Sequence, residues 1–344
     1  MNDIDIKNLK IGIVGAGAVG GTFATFLAHA GYDVEITKHK FDGLIMDNMV
    51  SLEVTGALGT KSYLVPFKDG NKFSDEKDII FICTRAFSVK EALGDVKKYL
   101  KRDGIVVVPQ NVLSLQDVLS EIPSEQFVPM VIDWVGLRDS DNEFVVLTSG
   151  NIHIGAISPN EHAHLPRLQK VLSSISNTVV QNNMYPFILS RFLMFCNTSV
   201  MGALTGHKLG HYLKEKQAKR IFINLFCEQL NVLAKQNIEV PPYNGVFDYY
   251  TFVENTISGI LYRSSMFKRL INKNGENVSP TLRLLENNKK SEKDYMCRQF
   301  VNMAKANGME IPYNETMADI LDEIEKADKN IVLENIYDER FLEI

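Results

Sequence analysis

Apolar positions along this chain change their spacing about halfway. Before residue 180 short apolar runs alternate with helical stretches, whereas beyond about 181 apolar residues recur at three- and four-residue intervals over long segments. The continuous runs at 78–83 and 105–108 predict strands of a parallel sheet covered on both faces, joined by a helix over about 88–100. Alternation at 51–56 and 62–66 around Gly59 predicts an inserted hairpin, and further strand signals fall at 127–134, 144–147, 152–154 and 178–180. Helices are expected over 186–206, 214–237 and 251–272, then a polar break at 272–279 ending in Pro280, then helices at about 292–307 and 314–327. The stretch 184–206 is rich in Phe, Leu and Met, but Arg191, Asn197, Thr198 and Ser199 would be costly in lipid, so a buried core helix is expected. The pattern predicts a doubly wound α/β domain over residues 1–182 and an all-α domain over 183–344.

The run Ile11-Gly12-Ile13-Val14-Gly15-Ala16-Gly17-Ala18-Val19-Gly20-Gly21 carries the clearest chemistry. An apolar strand ends in Gly15-x-Gly17-x-x-Gly20, a helical stretch stops at Gly31, and a second strand follows at 33–37. In such a unit the first glycine makes a tight turn and the second lets the backbone approach a pyrophosphate. The third lets the helix pack closely on the strand. Free N–H groups at the helix start favour the negative charge. Gly15, Ala16, Gly17, Ala18, Val19 and Gly20 are therefore read as a Rossmann-type dinucleotide site. The end of the second strand selects the cofactor. A carboxylate there suits the ribose 2′-hydroxyl of NAD, but Glu35 lies inside the strand and the segment leaving it is Thr37-Lys38-His39-Lys40. Lys38 and His39 suit a 2′-phosphate, which makes NADP (NADPH) the expected cofactor; an ordinary solvated basic loop is the alternative.

Composition adds bounds. A chain of 344 residues, 45% hydrophobic and 23% charged, is globular and long enough for two domains. A net charge of −5 gives no reason to expect a nucleic-acid partner. Cys83, Cys196, Cys227 and Cys297 are far apart in sequence, form no metal-ligand pair and read as reduced thiols. The acidic start Met1-Asn2-Asp3-Ile4-Asp5 does not look like a signal peptide, so the expected setting is cytoplasmic, with no membrane partner.

In their order and spacing these landmarks resemble the ketopantoate reductase (2-dehydropantoate 2-reductase) family over nearly the whole chain. The segment 78–87, ending Thr84-Arg85-Ala86-Phe87, is similar to the family's strand that ends in Lys-Ala-Tyr or Lys-Ala-Phe. Val108-Pro109-Gln110-Asn111 resembles its Gln-Asn-Gly turn, and Gly150-Asn151-Ile152-His153-Ile154-Gly155 its Gly-x-Ile-x-Ile-Gly strand. The segment 197–206 resembles the helix bearing substrate-contacting asparagines, and Arg263-Ser264-Ser265-Met266 the Ser-Ser-Met segment. The resemblance implies an oxidoreductase that reduces a 2-oxo acid to a 2-hydroxy acid with NADPH, 2-dehydropantoate to pantoate in pantothenate biosynthesis. It also implies a helical domain of the 6-phosphogluconate-dehydrogenase-like C-terminal type, serving substrate binding and a possible homodimer. On the same basis Arg85 stands where a lysine lies near cofactor and substrate, Asn111 contacts the nicotinamide side, and Asn197 and Ser265 hold substrate.

The family's proton donor is a lysine on the first long helix. Aligned on Asn197 its place is taken by Leu193, and aligned on Leu204-Thr205-Gly206 by Met194. Arg191 is the nearest cation, and a guanidinium polarises rather than protonates. An expected acid reads as Arg269, and the family's glutamate falls at Asn277 with Glu276 beside it. His207 and His211 follow the asparagine helix, and a histidine can act as general acid near neutrality. The catalytic expectation is therefore Arg191, His211 and Glu276. Three readings stand: a ketopantoate reductase, a related reductase of another 2-oxo acid or of an imine (opine-type), and a non-catalytic NADP-binding homologue. Tyr243, Tyr249 and Tyr250 belong either to a ligand surface or, as is commoner, to the core.

Overall fold

The computed structural model describes residues 8–39, 43, 45–109, 115–157 and 163–344. They form two compact units, one running through Tyr185 and the other Pro186–Ile344. The first unit holds twelve strands: β1 Lys10–Val14, β2 Asp33–Lys38, β3 Ile45–Met46, β4 Met49–Gly56, β5 Lys61–Asp69 and β6 Lys77–Ile82 come first. The rest are β7 Leu100–Pro109, β8 Phe127–Ile132, β9 Gly136–Arg138, β10 Glu143–Val146, β11 Ile152–Ile154 and β12 Thr178–Val180. They pair in the order β12-β11-β8-β7-β6-β1-β2-β5-β4-β10-β9, with β3 on β4. From β8 to β2 every pairing is parallel. The chain moves outward from β1 to one side through β2 and to the other through β6, β7 and β8, so the reversal lies between β1 and β6.

Period-two alternation explains the continuous apolar runs. In β6, Ile79 and Phe81 enter one core layer with Ile11, Ile13 and Phe23, while Ile80 and Ile82 enter the opposite layer with Val14, Val89 and Leu93. Helices α1 Ala18–His29, α2 Ala86–Val96, α3 Leu115–Leu119 and α4 Leu165–Leu172 belong to this unit. The expected hairpin is β4–β5, paired at Val50↔Val65 and Leu52↔Tyr63. The end of β5 then runs parallel to β2 at Ile36↔Phe67, which extends the sheet. β3 and β9 span two and three residues, too few for alternation to reveal them in the sequence.

The helices of the second unit are α5 Met184–Thr205, α6 Lys216–Lys235, α7 Ile257–Asn274, α8 Pro280–Glu286, α9 Cys297–Ala306 and α10 Pro312–Glu325, with shorter turns between them. α5 has the length and mean hydropathy (1.4) of a membrane span, yet 78% of its most apolar stretch is buried inside the protein. The helix expected over 251–272 is two, Tyr249–Val253 and α7. Thr256 separates them, its hydroxyl accepting from Gly259 N at 3.1 Å as an N-cap. Pro280 begins a helix rather than closing a break: Ser279 Oγ accepts from Leu282 N at 3.0 Å, and proline in the first turn loses no intrahelical bond. Tyr249 is fully buried against Phe226 and Phe247, a core tyrosine. Cys196 and Cys297, far apart in sequence, meet at 3.9 Å between sulfurs, and both are free and buried.

Candidate cofactor and substrate sites

β1, β2 and β6 end at one edge of the sheet. Gly15 N donates to Thr37 O and Cys83 N donates to Val14 O, each at 2.8 Å, which draws the three strand ends together. Gly15 has φ +100°, a left-handed conformation, and a Cβ there would lie 2.8 Å from Cys83 O. A Cβ on Gly20 would lie 1.9 Å from Gly15 O, while one on Gly17 would meet nothing within 4 Å. The three glycines therefore do separate work: turn, open face and close helix packing. Gly17 caps α1 without a side-chain acceptor and the first turn carries no acid, an arrangement suited to an anion. The buried Thr84 hydroxyl finds no hydrogen-bond partner among the described residues, and its Cγ2 lies 3.4 Å from the Gly15 Cβ position. An orphaned donor beside an open glycine face fits a nucleotide pyrophosphate.

Arg85 follows Thr84, exposed, at the N-cap of α2. His39 is exposed just past β2. Gly15–Gly20, Lys38, His39 and Arg85 are thus brought to one edge, while Asn111 lies outside the described residues. Lys38 makes an ion pair with Asp141 at 2.6 Å, and Arg138 binds the same carboxylate oxygen. Glu35 is buried, paired with Lys77 at 2.8 Å and accepting from Ser74 N and Oγ. Burial alone would push its carboxyl up, but Lys77 and Ser74 outweigh burial and hold it below the usual carboxylate value. An acid engaged in this way is not offered to a ribose hydroxyl.

In the second unit the expected site residues separate into groups. Arg191 on α5 binds Asn244 Oδ1 and lies over the rings of Tyr243 (5.1 Å) and Phe187 (6.0 Å). The same loop meets α7, where Tyr262 Oη donates to Val246 O at 2.9 Å and accepts from Asp248 N at 2.7 Å. Ser265 lies one helical turn further on, exposed. The 243–248 loop therefore links Arg191 to the Ser265 segment of α7. His211 and Glu276 form a different neighbourhood. Gly210 N donates to Gly275 O and Leu209 N to Asn277 O, Lys208 pairs with Glu276 at 2.6 Å, and the His207 and His211 rings lie 4.2 Å apart. This turn folds back along α5 as far as Thr198, whose carbonyl accepts from Tyr212 Oη at 3.3 Å. Arg191 lies seven residues further, about 10 Å along the helix. Of the expected catalytic trio, His211 and Glu276 thus belong to one turn, while Arg191 lies by the 243–248 loop.

Asn197 is fully buried. Its Nδ2 donates to Gln229 Oε1 at 2.9 Å and its Oδ1 accepts from Gln229 Nε2 at 2.8 Å, while Gln229 also donates to Asn314 Oδ1 at 2.8 Å. Both halves of its amide thus serve the joint of α5, α6 and α10. Leu193 and Met194, the two positions that the family's lysine would occupy, are both buried apolar side chains. A groove of about 420 Å³ opens along α6 and α7, lined by Lys219, Ile223, Ile260, Arg263 and Phe267 among others. It includes Ser264 but not Ser265, which points a third of a turn away. The sequence reading did not single out Arg138, Asp141 or Thr84, and it left Tyr243 open between a ligand surface and the core. Only Thr84 carried a signal, its place at the carboxyl end of a central strand.

Residues 11–159 match the family model described as Ketopantoate reductase PanE/ApbA, and residues 183–325 match its C-terminal counterpart. A 2-dehydropantoate 2-reductase of Pyrococcus abyssi is 24% identical over 321 residues, 89% of this chain and 94% of that one. A PanE/ApbA family ketopantoate reductase structure from Ralstonia eutropha JMP134 superposes with TM-score 0.79 at 17% identity, covering 94% of this chain and 100% of its own. D-mandelate dehydrogenase, solved with NADH and anilino(oxo)acetate, gives TM-score 0.76 at 16% identity over 93% of this chain and 99% of its own.

Proposed function

This chain belongs to the ketopantoate reductase family of oxidoreductases, and on that premise we propose that it reduces a 2-oxo acid to the 2-hydroxy acid with NADPH. 2-Dehydropantoate is the substrate the family points to. The observation that carries the reading is the glycine turn at the reversal between β1 and β6, with an open face at Gly17 and the unpartnered Thr84 hydroxyl beside it.

A bound NADPH supplies hydride to the carbonyl carbon. The chain supplies charge for phosphate and carboxylate and a proton for the alkoxide oxygen. Arg85 pairs with phosphate or carboxylate through parallel N–H bonds, and Ser265 donates its hydroxyl to the substrate carboxylate. Arg191 polarises the carbonyl oxygen but keeps its own protons. The proton then comes from the phenol of Tyr243, whose ring packs against Arg191. His211 and Glu276 take no part.

A second reading of the substrate is favoured by α7. Ile257, Leu261 and Ser265 recur at four-residue spacing on one face, with Ile257 81% and Leu261 67% exposed. An apolar face beside the carboxylate-binding serine suits a 2-oxo acid with a bulkier apolar substituent than ketopantoate.

The test follows NADPH absorbance with 2-dehydropantoate, with branched and aryl 2-oxo acids, and with 2-oxo acid plus amine mixtures. Turnover of a 2-oxo acid alone is expected. Tyr243→Phe is expected to lower kcat about 100-fold with little change in KM, while His211→Ala leaves both unchanged. Turnover only when an amine is present would replace the reading with imine reduction. Tight NADPH binding without turnover of any substrate would leave a nucleotide-binding protein without this activity.

A further inference from the structure

We propose that Arg138, on β9, is the residue by which this chain distinguishes NADPH from NADH. The inference deepens the cofactor reading above and depends on it. β2 ends at Lys38, where a nucleotide seated on the glycine turn directs its adenosine ribose. Lys38 Nζ stands 2.6 Å from Asp141 Oδ1, and the Arg138 guanidinium binds that same oxygen. Two such contacts to one oxygen hold the cations within about 6 Å of each other. Asp141 is the deepest of the three: its side chain is 5% exposed, against 15% for Lys38 and 39% for Arg138. The cluster therefore presents its cations outward over a buried carboxylate, with one positive charge in excess.

The path of β9 brings Arg138 to this place. Gly136 opens the strand, and its Cβ position lies 3.4 Å from Ala18 Cβ at the first residue of α1. Arg138 comes two residues later, about 7 Å along an extended chain. β9 thus runs from the pyrophosphate end of the cradle to its ribose end. β10 anchors the hairpin on β4 in parallel register (Phe144↔Val54), and Arg138 Nε donates to Ser140 O at 3.2 Å, which orients the guanidinium. A phosphomonoester at neutral pH carries about −1.5 to −2 charges and matches a forked guanidinium beside an ammonium. A ribose 2′-hydroxyl offers no charge to that pair. The two buried acids of the region are both engaged, Glu35 by Lys77 and Asp141 by Lys38 and Arg138, while Asp69, Asp139 and Glu143 are exposed.

Calorimetric titration of NADPH and NADH into the full chain and into Arg138→Ala tests the assignment. The unmodified protein is expected to bind NADPH at least about tenfold more tightly than NADH. Arg138→Ala is expected to raise the NADPH Kd about tenfold or more and to leave the NADH Kd within about twofold, which also shows that the fold is intact. Arg138→Lys retains part of the preference, because the charge stays and the fork is lost. An unchanged NADPH-to-NADH ratio in Arg138→Ala, or equal affinities in the unmodified protein, overturns the proposal while nucleotide binding stands. Failure of the unmodified protein to bind either nucleotide overturns the cofactor reading itself.

Discussion

Gly20→Ala is expected to raise the Kd for NADPH by about 100-fold or more and to lower the melting temperature. The added Cβ would lie 1.9 Å from Gly15 O and 3.1 Å from Cys83 Cβ, so the backbone of the turn must move. Gly15 cannot yield easily. Its N–H is held by Thr37 O, and its own α-carbon faces Cys83 O, where a side chain would already collide. Opening the turn therefore disturbs the ends of β1, β2 and β6 together, and overpacking of this kind costs roughly 1–3 kcal/mol. Gly17→Ala is the informative companion. Nothing lies within 4 Å of its Cβ position and its φ of −89° suits alanine, so stability is preserved. The methyl group would nevertheless occupy the face through which a pyrophosphate approaches, and binding should fall while the melt stays unchanged. NADPH binding by Gly20→Ala at the unmodified affinity would show that the turn is not the nucleotide cradle.

The second large effect is on stability, at a residue first read as a substrate ligand. Asn197→Ala is expected to destabilise the helical unit by roughly 2–3 kcal/mol, because it leaves Gln229 Oε1 without its donor in a fully buried setting. The loss spreads: Gln229 bridges Asn197 to Asn314, and Asn314 Nδ2 donates to Glu228 Oε2 at 2.8 Å, the carboxylate that also accepts from Tyr313 N and Asn314 N at the start of α10. Urea and thermal melts read the effect directly. The substrate KM of the protein that remains folded should be unchanged. A variant of full stability with a raised KM would return Asn197 to the substrate site.

The α/β unit was largely legible because its signals are local. A glycine with φ +100° after four buried strand residues leaves a mark in four consecutive letters, and the two-sided burial of β6 appears as an unbroken apolar run. The boundaries of the helical unit were less legible. Thr256 divides one amphipathic stretch and Ser279 turns Pro280 from a stop into a start, and both effects lie in a single hydroxyl. The site was least legible where partners are distant. Lys38 and Asp141 are 103 positions apart, so nothing near Lys38 announces that its charge is shared. Asn197 matches a family pattern, yet its partner Gln229 lies 32 positions on, and only packing shows that its amide faces inward. The missing lysine was plain from Leu193 and Met194, but the contact of Arg191 with Asn244, 53 positions on, was not.

The chain contains one tryptophan. Trp134 is 4% exposed, its Nε1 has no hydrogen-bond partner among the described residues, and its ring lies 3.2 Å from the Cβ position of Gly136, which itself abuts Ala18. A dry indole of this kind emits at the blue end of its range, in the band where a reduced nicotinamide absorbs. The protein therefore carries a built-in optical gauge next to the start of α1. Its emission should dim as NADPH loads and stay level in Gly20→Ala, without dye, label or turnover.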